Sequence, residues 1–210
     1  MISITDLTVD FGPVRALDHV TLDLPSGAIM VLAGPNGSGK STLLWAMAGL
    51  LLPTSGAVRL RGPAGVPSIG FLAHQSFLYE ELTPLENLVL AARLCGLSDP
   101  AGRSIGMIRK IGLESESRRR VSTLSRGQQQ LAAFARAVLP DPPVLFLDEP
   151  FSNLDRTAVH VIRQMLDPFV SPDRLAVIAT HDPNPEPLSG LPTRCIQIES
   201  GRVRMVRGAS

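Results

Sequence analysis

The sequence predicts an α/β protein with a mostly parallel sheet, an N-terminal antiparallel β layer and a helical insert. Short continuous apolar runs at residues 28–33, 144–148 and 175–180 are typical of strands that are buried on both faces. Segments with helical spacing alternate with these runs, which indicates a parallel core. We therefore expect one domain over residues 1–210, with a helical subdomain inserted at approximately residues 76–124.

The elements follow from local patterns along the chain. Residues 2–24 alternate in polarity and are interrupted at residues 11–13, Phe-Gly-Pro, which predicts short antiparallel strands at an edge. Residues 40–51 carry apolar side chains at helical spacing, and Pro53 is expected to stop this helix. Further strands are predicted at residues 58–60 and 69–72.

The second half is predicted in the same way. A mostly helical stretch runs from Pro84 to about Arg120, and another helix runs from Gly127 to Leu139. The prolines at positions 183, 185 and 187 make any helix after residue 181 short or absent. A terminal hairpin is expected around residues 200–201, and no regulatory C-terminal domain is expected after it.

Composition excludes several classes of protein. The 210 residues are 44% hydrophobic and 19% charged, so the chain can bury a core and is not disordered as a whole. The net charge is +1, which gives no overall attraction to nucleic acid, and we expect no nucleic-acid partner. The basic run at residues 118–120 lacks interleaved aromatic residues and indicates a solvated face.

Cysteine usage and apolar runs predict the location. Cys95 and Cys195 are far apart and have no further ligands at metal-binding spacing, which argues against a zinc site or a disulfide scaffold. The longest apolar run, residues 43–52, is too short to span a bilayer. We therefore expect a reduced, cytoplasmic protein.

A glycine-rich loop lies between the predicted strand at residues 28–33 and the helix that follows it. Small residues let successive backbone N–H groups surround an anion at a helix N-terminus. Lys40 is placed to hold the β- and γ-phosphates of a nucleotide, and Ser41 to bind Mg²⁺. The alternative is a glycine-rich turn without function. The predicted nucleotide-binding residues here are Gly34, Pro35, Asn36, Gly37, Ser38, Gly39, Lys40, Ser41 and Thr42.

Two acids end the apolar run at residues 144–148. Ligand crevices of α/β sheets open at the carboxyl ends of their strands, so Asp148 is predicted to orient Mg²⁺ through water. Glu149 is placed to polarise a water molecule for in-line attack on a γ-phosphate. The alternative is a pair of turn acids that cap the next helix.

A third motif, residues 124–128, reads Leu-Ser-Arg-Gly-Gln. Ser125 is a candidate N-cap, and Gly127 exposes backbone N–H groups at the start of a helix. On its own this motif indicates only a helix cap. In this order, however, the three motifs resemble those of the ATP-binding subunits of ABC transporters, and the resemblance extends through nearly the whole chain.

The resemblance implies a P-loop NTPase core of the ABC ATPase type and further site residues. Phe11 stands where an aromatic ring stacks on adenine, and Gln75 where a loop glutamine contacts Mg²⁺ and responds to the transmembrane partner. Asp155 belongs to the segment that matches the family's dimer-contact loop. His181 stands at the position of the family's γ-phosphate switch.

The family's mechanism also implies partners. One nucleotide is expected between the glycine loop of one subunit and Ser125, Gly127 and Gln128 of a second ATP-binding subunit, in an ATP-dependent dimer that hydrolyses ATP with Mg²⁺. An integral membrane transporter subunit is expected to contact residues 75–86, which places the protein on the inner face of the cell membrane.

Some positions depart from the family pattern or point to a branch of it. Arg126 stands where the family most often has glycine, and Phe11 where it most often has tyrosine. Residues 70–88 and the motif around Arg126 are similar to the ATP-binding subunit of the haem exporter of cytochrome c maturation. A generic exporter subunit remains the alternative at this point, as do a P-loop small-molecule kinase and a soluble ABC ATPase without a transport role.

Overall fold

Two β-sheets and five α-helices make up the computed structural model, which describes residues 2–61, 65 and 68–207. The strands are β1 (Ile2–Phe11), β2 (Val14–Leu24), β3 (Ile29–Ala33), β4 (Ser55–Leu60), β5 (Ile69–Leu72), β6 (Val144–Asp148), β7 (Leu175–Thr180), β8 (Thr193–Glu199) and β9 (Arg202–Arg207). The helices are α1 (Lys40–Met47), α2 (Pro84–Leu94), α3 (Pro100–Lys110), α4 (Arg126–Val138) and α5 (Arg156–Leu166).

The sheets have the predicted kinds of pairing. The order β2-β1-β4 forms an antiparallel three-stranded sheet, and β5-β6-β7-β3-β8-β9 forms a six-stranded sheet. Strand β9 pairs antiparallel with β8, whereas the other pairings of the larger sheet are parallel. The mostly parallel core, the antiparallel N-terminal layer and the terminal hairpin are therefore confirmed.

Strand β3 is covered on both faces, as its continuous apolar sequence predicts. Successive side chains of a strand point to opposite faces. Ile29, Val31 and Ala33 belong to one hydrophobic cluster, and Met30 and Leu32 belong to another. The first cluster packs under α4 and α5, and the second packs against α1 and the small sheet.

The helical segment shares the core of the large sheet. Leu88 on α2, Ile108 on α3 and Val121 belong to the same buried cluster as Leu145 on β6. Local signals start α2, because Thr83 and Glu86 form a reciprocal capping box in front of the helix. The segment is thus packed onto the core of the large sheet through a continuous apolar contact.

Helix α1 is shorter than the sequence predicts. The predicted end was near residue 51, whereas the helix ends at Met47. Gly49 has a φ of 71°, and the N–H groups of Gly49 and Leu50 donate to the carbonyls of Ala46 and Trp45 at 3.1 and 2.9 Å. A glycine in this left-handed conformation terminates a helix before any proline is reached.

Helix α5 was missed by the sequence analysis. Its buried residues are Ala158, Ile162, Met165 and Leu166, which follow helical spacing. The helical pattern of apolar residues was therefore present in the sequence, but it covers only a short segment. The three prolines after residue 181 predict a short or absent helix. Between β7 and β8 the described chain has a 3₁₀ turn at Glu186–Leu188 and no α-helix, as predicted.

Gly70 on β5 provides a test of how tightly the core is packed. A Cβ at this position would stand 2.3 Å from the carbonyl oxygen of Ala137 and 2.8 Å from Leu145 Cδ1. Because one of these neighbours is backbone, Gly70→Ala is expected to lower the free energy of unfolding by about 1–3 kcal/mol, measured by urea denaturation. The control is Gly106→Ala in α3, where a Cβ meets open space; the higher helix propensity of alanine is expected to raise stability by about 0.5–1 kcal/mol. Equal stabilities of the two variants would contradict this account.

Candidate functional site

The loop between β3 and α1 presents backbone donors at one point. Gly39 is the N-cap of α1 and provides no side-chain cap. The first N–H groups of a helix have no intrahelical acceptor, and here the bond from Leu43 N–H to the Gly39 carbonyl, 2.9 Å, is the first of the helix. The amides of residues 40–42 are therefore left for an anion at the helix N-terminus.

Lys40 folds back over this loop. Its Nζ donates to the carbonyls of Gly34 and Pro35 at 2.8 and 2.9 Å. The residue is buried, so its ammonium group is held at a fixed place beside the loop amides. A fixed cation next to converging N–H donors is suited to phosphate.

Two glycines of the loop are required because neighbouring backbones lie against them. A Cβ at Gly34 would stand 2.2 Å from the carbonyl oxygen of Ile198, and one at Gly39 would stand 2.6 Å from that of Ala16. Contacts this short with backbone atoms exclude any side chain. The loop therefore lies between β8 on one side and β2 on the other.

A cleft of about 270 Å³ joins the loop to the acid pair after β6. The structure thus brings together two motifs that are more than a hundred positions apart in the sequence. Three of the predicted loop residues do not line this cleft. Gly34 and Pro35 line a neighbouring cavity of about 380 Å³ with His181, and Ser38 is buried. The cleft is lined by Val14, Arg15, Ala16, Asn36, Gly37, Gly39, Lys40, Ser41, Thr42, His74, Asp148 and Glu149.

Asp148 is the buried acid of the cleft, with 3% of the residue exposed. Burial raises the pKa of its carboxyl group above the ordinary value, and the charge of Glu149 acts in the same direction. A hydrogen bond with Ser41 and the nearby His74 and Lys40 act to lower this pKa. The Asp148 carboxylate and the Ser41 hydroxyl therefore face each other at the mouth of the loop.

These two groups fit a magnesium ion. Mg²⁺ prefers hard oxygen ligands and is commonly held by one or two protein groups together with water and substrate phosphates. Throughout the described part of the chain, no group of three or more His, Cys, Asp or Glu side chains could hold a metal ion by itself. The donor set is thus suited to a metal that arrives with a phosphate ligand.

Glu149 has a strained backbone that surrounding groups hold in place. Its φ is 49°, a left-handed conformation that is unfavourable for residues other than glycine. Its N–H donates to the Ala179 carbonyl at 2.9 Å, and its own carbonyl accepts from Gln130 Nε2 at 3.3 Å and from Ser152 N–H at 3.2 Å. Contacts from β7 and α4 therefore fix the direction of the Glu149 side chain.

His181 and Gln75 approach Glu149 from two sides. His181 Nδ1 lies 3.5 Å from Glu149 Oε1, and the His181 side chain is 74% exposed. We call the cleft between the glycine loop and the acid pair the phosphate cleft, and Gln75 does not line it. Gln75 lines a second cavity of about 630 Å³ together with Glu149 and Arg126. Glu149 thus stands between the two cavities.

His74 lines both cavities and was missed by the sequence analysis. It follows the carboxyl end of β5, the neighbour of β6 in the sheet. The rule that singled out Asp148 at a strand end would also have singled out His74. Arg15 and Ala16 were likewise not predicted, because they reach the cleft from the other sheet and carry no local signal.

The motif at residues 124–128 caps α4. Ser125 Oγ accepts from the Gln128 N–H at 3.2 Å, and Gln128 Oε1 accepts from the Ser125 N–H at 3.0 Å. A Cβ at Gly127 would lie 2.9 Å from the carbonyl oxygen of Asn153, so the start of α4 packs on the loop after β6. Ser125, Gly127 and Gln128 do not line the phosphate cleft of their own chain.

Two other predicted residues lie at the rim of the site. Phe11 is exposed at the turn between β1 and β2, and it is Val14 on the other side of this turn that lines the cleft. Asp155 Oδ1 accepts from the Ala158 N–H at 2.8 Å and thereby caps α5. Asp155 therefore stabilises the start of α5 within the single chain.

In the residues that the structure describes, no helix is both long enough and apolar enough to cross a bilayer.

Sequence comparison gives matches over most of the chain. The family described as ABC transporter matches residues 17–152. An uncharacterized ABC transporter ATP-binding protein of Mycobacterium bovis is 32% identical over an alignment of 206 residues, which covers 90% of this chain and 62% of that protein. The chain thus spans less than two thirds of the length of this mycobacterial relative. A cytochrome c biogenesis ATP-binding export protein of Pseudomonas savastanoi is 36% identical over 207 residues and 94% of each chain.

Solved structures with the same fold agree with this match. A dimeric ATP-binding cassette in a post-hydrolysis state, bound to ADP and Pi, superposes with a TM-score of 0.85 at 26% identity and covers 99% of this chain and 98% of its own. The ATP-binding subunit of an ABC transporter superposes with a TM-score of 0.86 at 28% identity over 99% of this chain and 90% of its own. The ABC ATPase fold predicted from the motifs is therefore confirmed, and the chain belongs to the family of ABC transporter ATP-binding proteins.

Proposed function

We propose that this chain is the ATP-binding and ATP-hydrolysing subunit of an ABC transporter. The observation that carries the proposal is the phosphate cleft, where the glycine loop, the buried Asp148 bonded to Ser41, and Glu149 line one space. Membership of the transporter family decides against the small-molecule kinase alternative.

The first step is binding of the nucleotide phosphates. The loop amides and the N-terminus of α1 attract the negative charge. Lys40 adds a cation that is already held beside the loop by two carbonyl contacts. Phe11, exposed at the turn of the small sheet, is proposed to stack on the adenine ring.

A magnesium ion would be held by Ser41 and, through water, by Asp148, and Gln75 is proposed as a further ligand. When bound, Mg²⁺ supplies neutralisation of the charge that develops on the phosphate oxygens. The chain's own task is to keep the Asp148 carboxylate ionised and aimed, because burial alone favours its protonated form.

Glu149 then acts as the general base. Its carboxylate orients a water molecule for in-line attack on the γ-phosphate and accepts a proton from it. His181 contacts the same carboxylate at 3.5 Å and keeps it turned toward the reacting phosphate. The backbone contacts of Glu149 keep this geometry in place without further reorganisation.

The site is completed by a second subunit. Ser125, Gly127 and Gln128 lie outside the chain's own cleft, so their donors are available to the γ-phosphate of a partner's nucleotide. Arg126 at the start of the same helix adds a positive charge to this surface. Two solved structures of one structural relative are described as dimeric, which supports the same arrangement here. Asp155 and the loop before it are proposed to contact the partner subunit.

The membrane partner is proposed to bind near residues 75–86, on the helical subdomain at residues 76–124. Phe77 and Tyr79 are large exposed apolar side chains there. Arg136 from α4 donates to the carbonyls of Ser76 and Phe77 at 2.8 and 2.6 Å, which fixes the loop that displays them. This contact would place the protein on the inner face of the cell membrane.

The proposed cargo is haem for cytochrome c biogenesis. The Pseudomonas export protein matches this chain over 94% of both lengths, whereas the mycobacterial relative and a lantibiotic transport protein of Streptococcus pyogenes are matched over 62% and 80% of theirs. Agreement in length as well as in sequence favours the cytochrome c branch over a generic exporter subunit. A soluble role without transport would instead predict no association with membranes.

Glu149→Gln tests the catalytic proposal. The variant is expected to bind Mg-ATP within about threefold of the parent affinity and to lose about 10²–10⁴-fold in turnover, because the amide cannot accept the proton. Light scattering on a sizing column is expected to show a monomer without ATP and a dimer with Mg-ATP. Glu114→Gln, at an exposed position, is the control and is expected to leave turnover unchanged. Hydrolysis at the parent rate would refute the base assignment, and a monomer at saturating Mg-ATP would refute the shared site.

Asp148→Asn tests the metal site through stability as well as activity. Because the pKa of Asp148 is raised on folding, its ionised form lowers stability increasingly as pH rises through the folded-state pKa. The variant is therefore expected to stabilise the nucleotide-free protein at neutral pH, on the order of 1 kcal/mol, and to lose this advantage in acid, where the parent carboxyl is protonated.

The measurement is thermal unfolding at neutral and acid pH, with and without Mg²⁺ and ATP. Stabilisation of the variant by ATP is expected to become independent of Mg²⁺. Asp23→Asn, at an exposed position on β2, is expected to change neither property. A variant that is less stable than the parent at neutral pH, or that keeps its Mg²⁺ dependence, would contradict the assignment.

The cargo proposal predicts complementation. Expression in Pseudomonas savastanoi lacking its own cytochrome c biogenesis ATP-binding export protein is expected to restore covalent haem in c-type cytochromes, measured by haem staining of membrane proteins. Glu149→Gln is the negative control. Absence of restoration by parent protein that is present at the membrane would argue for a different cargo.

A further inference from the structure

Three backbone segments contact one another, and the phosphate loop is one of them. They are residues 16–18 of β2, the loop at residues 34–39, and the turn at residues 200–201 between β8 and β9. In this turn Ser200 and Gly201 have φ values of 48° and 74°, the conformation of a two-residue type I′ hairpin. The turn belongs to a part of the chain that carries none of the recognised motifs.

The turn is hydrogen-bonded to the phosphate loop. The N–H of Gly201 donates to the carbonyl of Ser38 at 2.9 Å. In a planar trans peptide the C=O and the following N–H point in opposite directions. Because the Ser38 carbonyl points to the turn, the N–H of Gly39 points away from it. Gly39 lines the phosphate cleft, so this orientation makes its N–H a donor on the cleft side.

The β8–β9 turn is also fixed to β2. The Gly201 carbonyl accepts from the Asp18 N–H at 2.9 Å, and Arg202 Nε donates to Asp18 Oδ2 at 2.6 Å. Hydrogen bonds from Arg202 and from Arg15 lower the pKa of the Asp18 carboxyl group, which keeps it ionised at neutral pH. Both the backbone and a charged pair therefore hold the turn at one place on the small sheet.

Packing leaves no room for a side chain where the turn and the loop meet. A Cβ at Gly201 would stand 2.7 Å from the carbonyl oxygen of Ala16, and one at Gly39 would stand 2.6 Å from the same atom. The turn and the loop thus lie against one carbonyl group, and a displacement of the turn is passed directly to the loop.

We propose that the β8–β9 turn is a positioning element of the nucleotide site: Gly201, supported by Arg202 through Asp18, sets the Ser38–Gly39 peptide so that the Gly39 N–H donates to a nucleotide phosphate. The inference rests on the proposed ATP binding. A phosphate contact of this kind is made in the ground state and in the transition state alike, so its loss raises KM and leaves kcat nearly unchanged.

Gly201→Ala is the direct test, with Mg-ATP as the ligand. The Kd and KM for Mg-ATP are expected to rise about tenfold, in the range for loss of a hydrogen bond to a charged group, and kcat is expected to stay within threefold. Gly112→Ala is the matched control, because Gly112 has a φ of 71° and open space around its Cβ position. This control carries the same backbone strain and is expected to change KM less than twofold.

A spectroscopic measurement separates positioning from general destabilisation. In protein labelled with ¹⁵N-glycine, Mg-ATP is expected to shift the Gly39 amide resonance strongly in the parent and in Gly112→Ala, and weakly in Gly201→Ala. An unchanged Gly39 shift together with an unchanged KM in folded Gly201→Ala would overturn the proposal.

Arg202→Gln provides the test if Gly201→Ala does not fold. It loosens the turn from β2 without a steric clash, and a rise in KM of about threefold is expected. Arg204→Gln is its control: Arg204 lies on the same strand, pairs with Glu199 of its own hairpin at 3.6 Å, and is similarly exposed. Both variants remove one positive charge near the phosphates, so equal effects on KM would overturn the positioning role.

Loss of the proposed function and loss of the turn's positioning role give different binding results. If the parent protein does not bind Mg-ATP, the proposed function is wrong. If the parent binds Mg-ATP and the turn variants bind it equally well, the function stands and the positioning role of the turn is wrong.

Discussion

Close backbone contact at the phosphate loop is the constraint on which the rest of the structure depends. The loop touches the Ile198 carbonyl of the large sheet through Gly34 and the Ala16 carbonyl of the small sheet through Gly39. Both distances leave no room for a side chain, so the two sheets can approach the loop only where it is glycine. The antiparallel layer is therefore part of the candidate nucleotide site, because it forms one wall of the cleft.

Helix α4 connects the parts of the site that the two sheets do not reach. Its start carries the capping box of Ser125, Gln130 donates to the Glu149 carbonyl at 3.3 Å, and Arg136 near its end donates to the carbonyls of Ser76 and Phe77. A helix is rigid over this length, so a movement of its N-terminus on a partner subunit also moves the loop of Glu149 and the loop after Gln75. Such a rigid-body connection is a physical route by which nucleotide binding reaches the proposed membrane contact.

Local patterns were sufficient for most of the fold and for most of the residues that line the cleft. Buried strands appear as continuous apolar runs, and the glycine loop and the acid pair lie directly at their ends, so their meeting at one cleft follows from a parallel sheet. The same strand-end rule applies to His74, whereas the contributions of Ala16 and Gly201 could not be found in this way. Each depends on contact between segments that are distant in the chain, and a glycine in a hairpin turn has the same local sequence whether or not it touches a phosphate loop. The end of α1 was misplaced because a left-handed glycine acts before the proline does.

The acid pair shows how a local backbone detail decides the chemistry. Side chains of successive residues in a strand point to opposite faces, so Asp148 and Glu149 could not both face the cleft if β6 continued through them. The strand ends at Asp148, and the left-handed conformation of Glu149 turns the next side chain back toward the same space. This conformation is unfavourable and persists because Ala179, Gln130 and Ser152 bind the Glu149 peptide groups. The result is two neighbouring carboxylates in different surroundings, one buried against Ser41 and suited to a metal, the other with 16% of its side chain exposed beside His181 and suited to a water molecule.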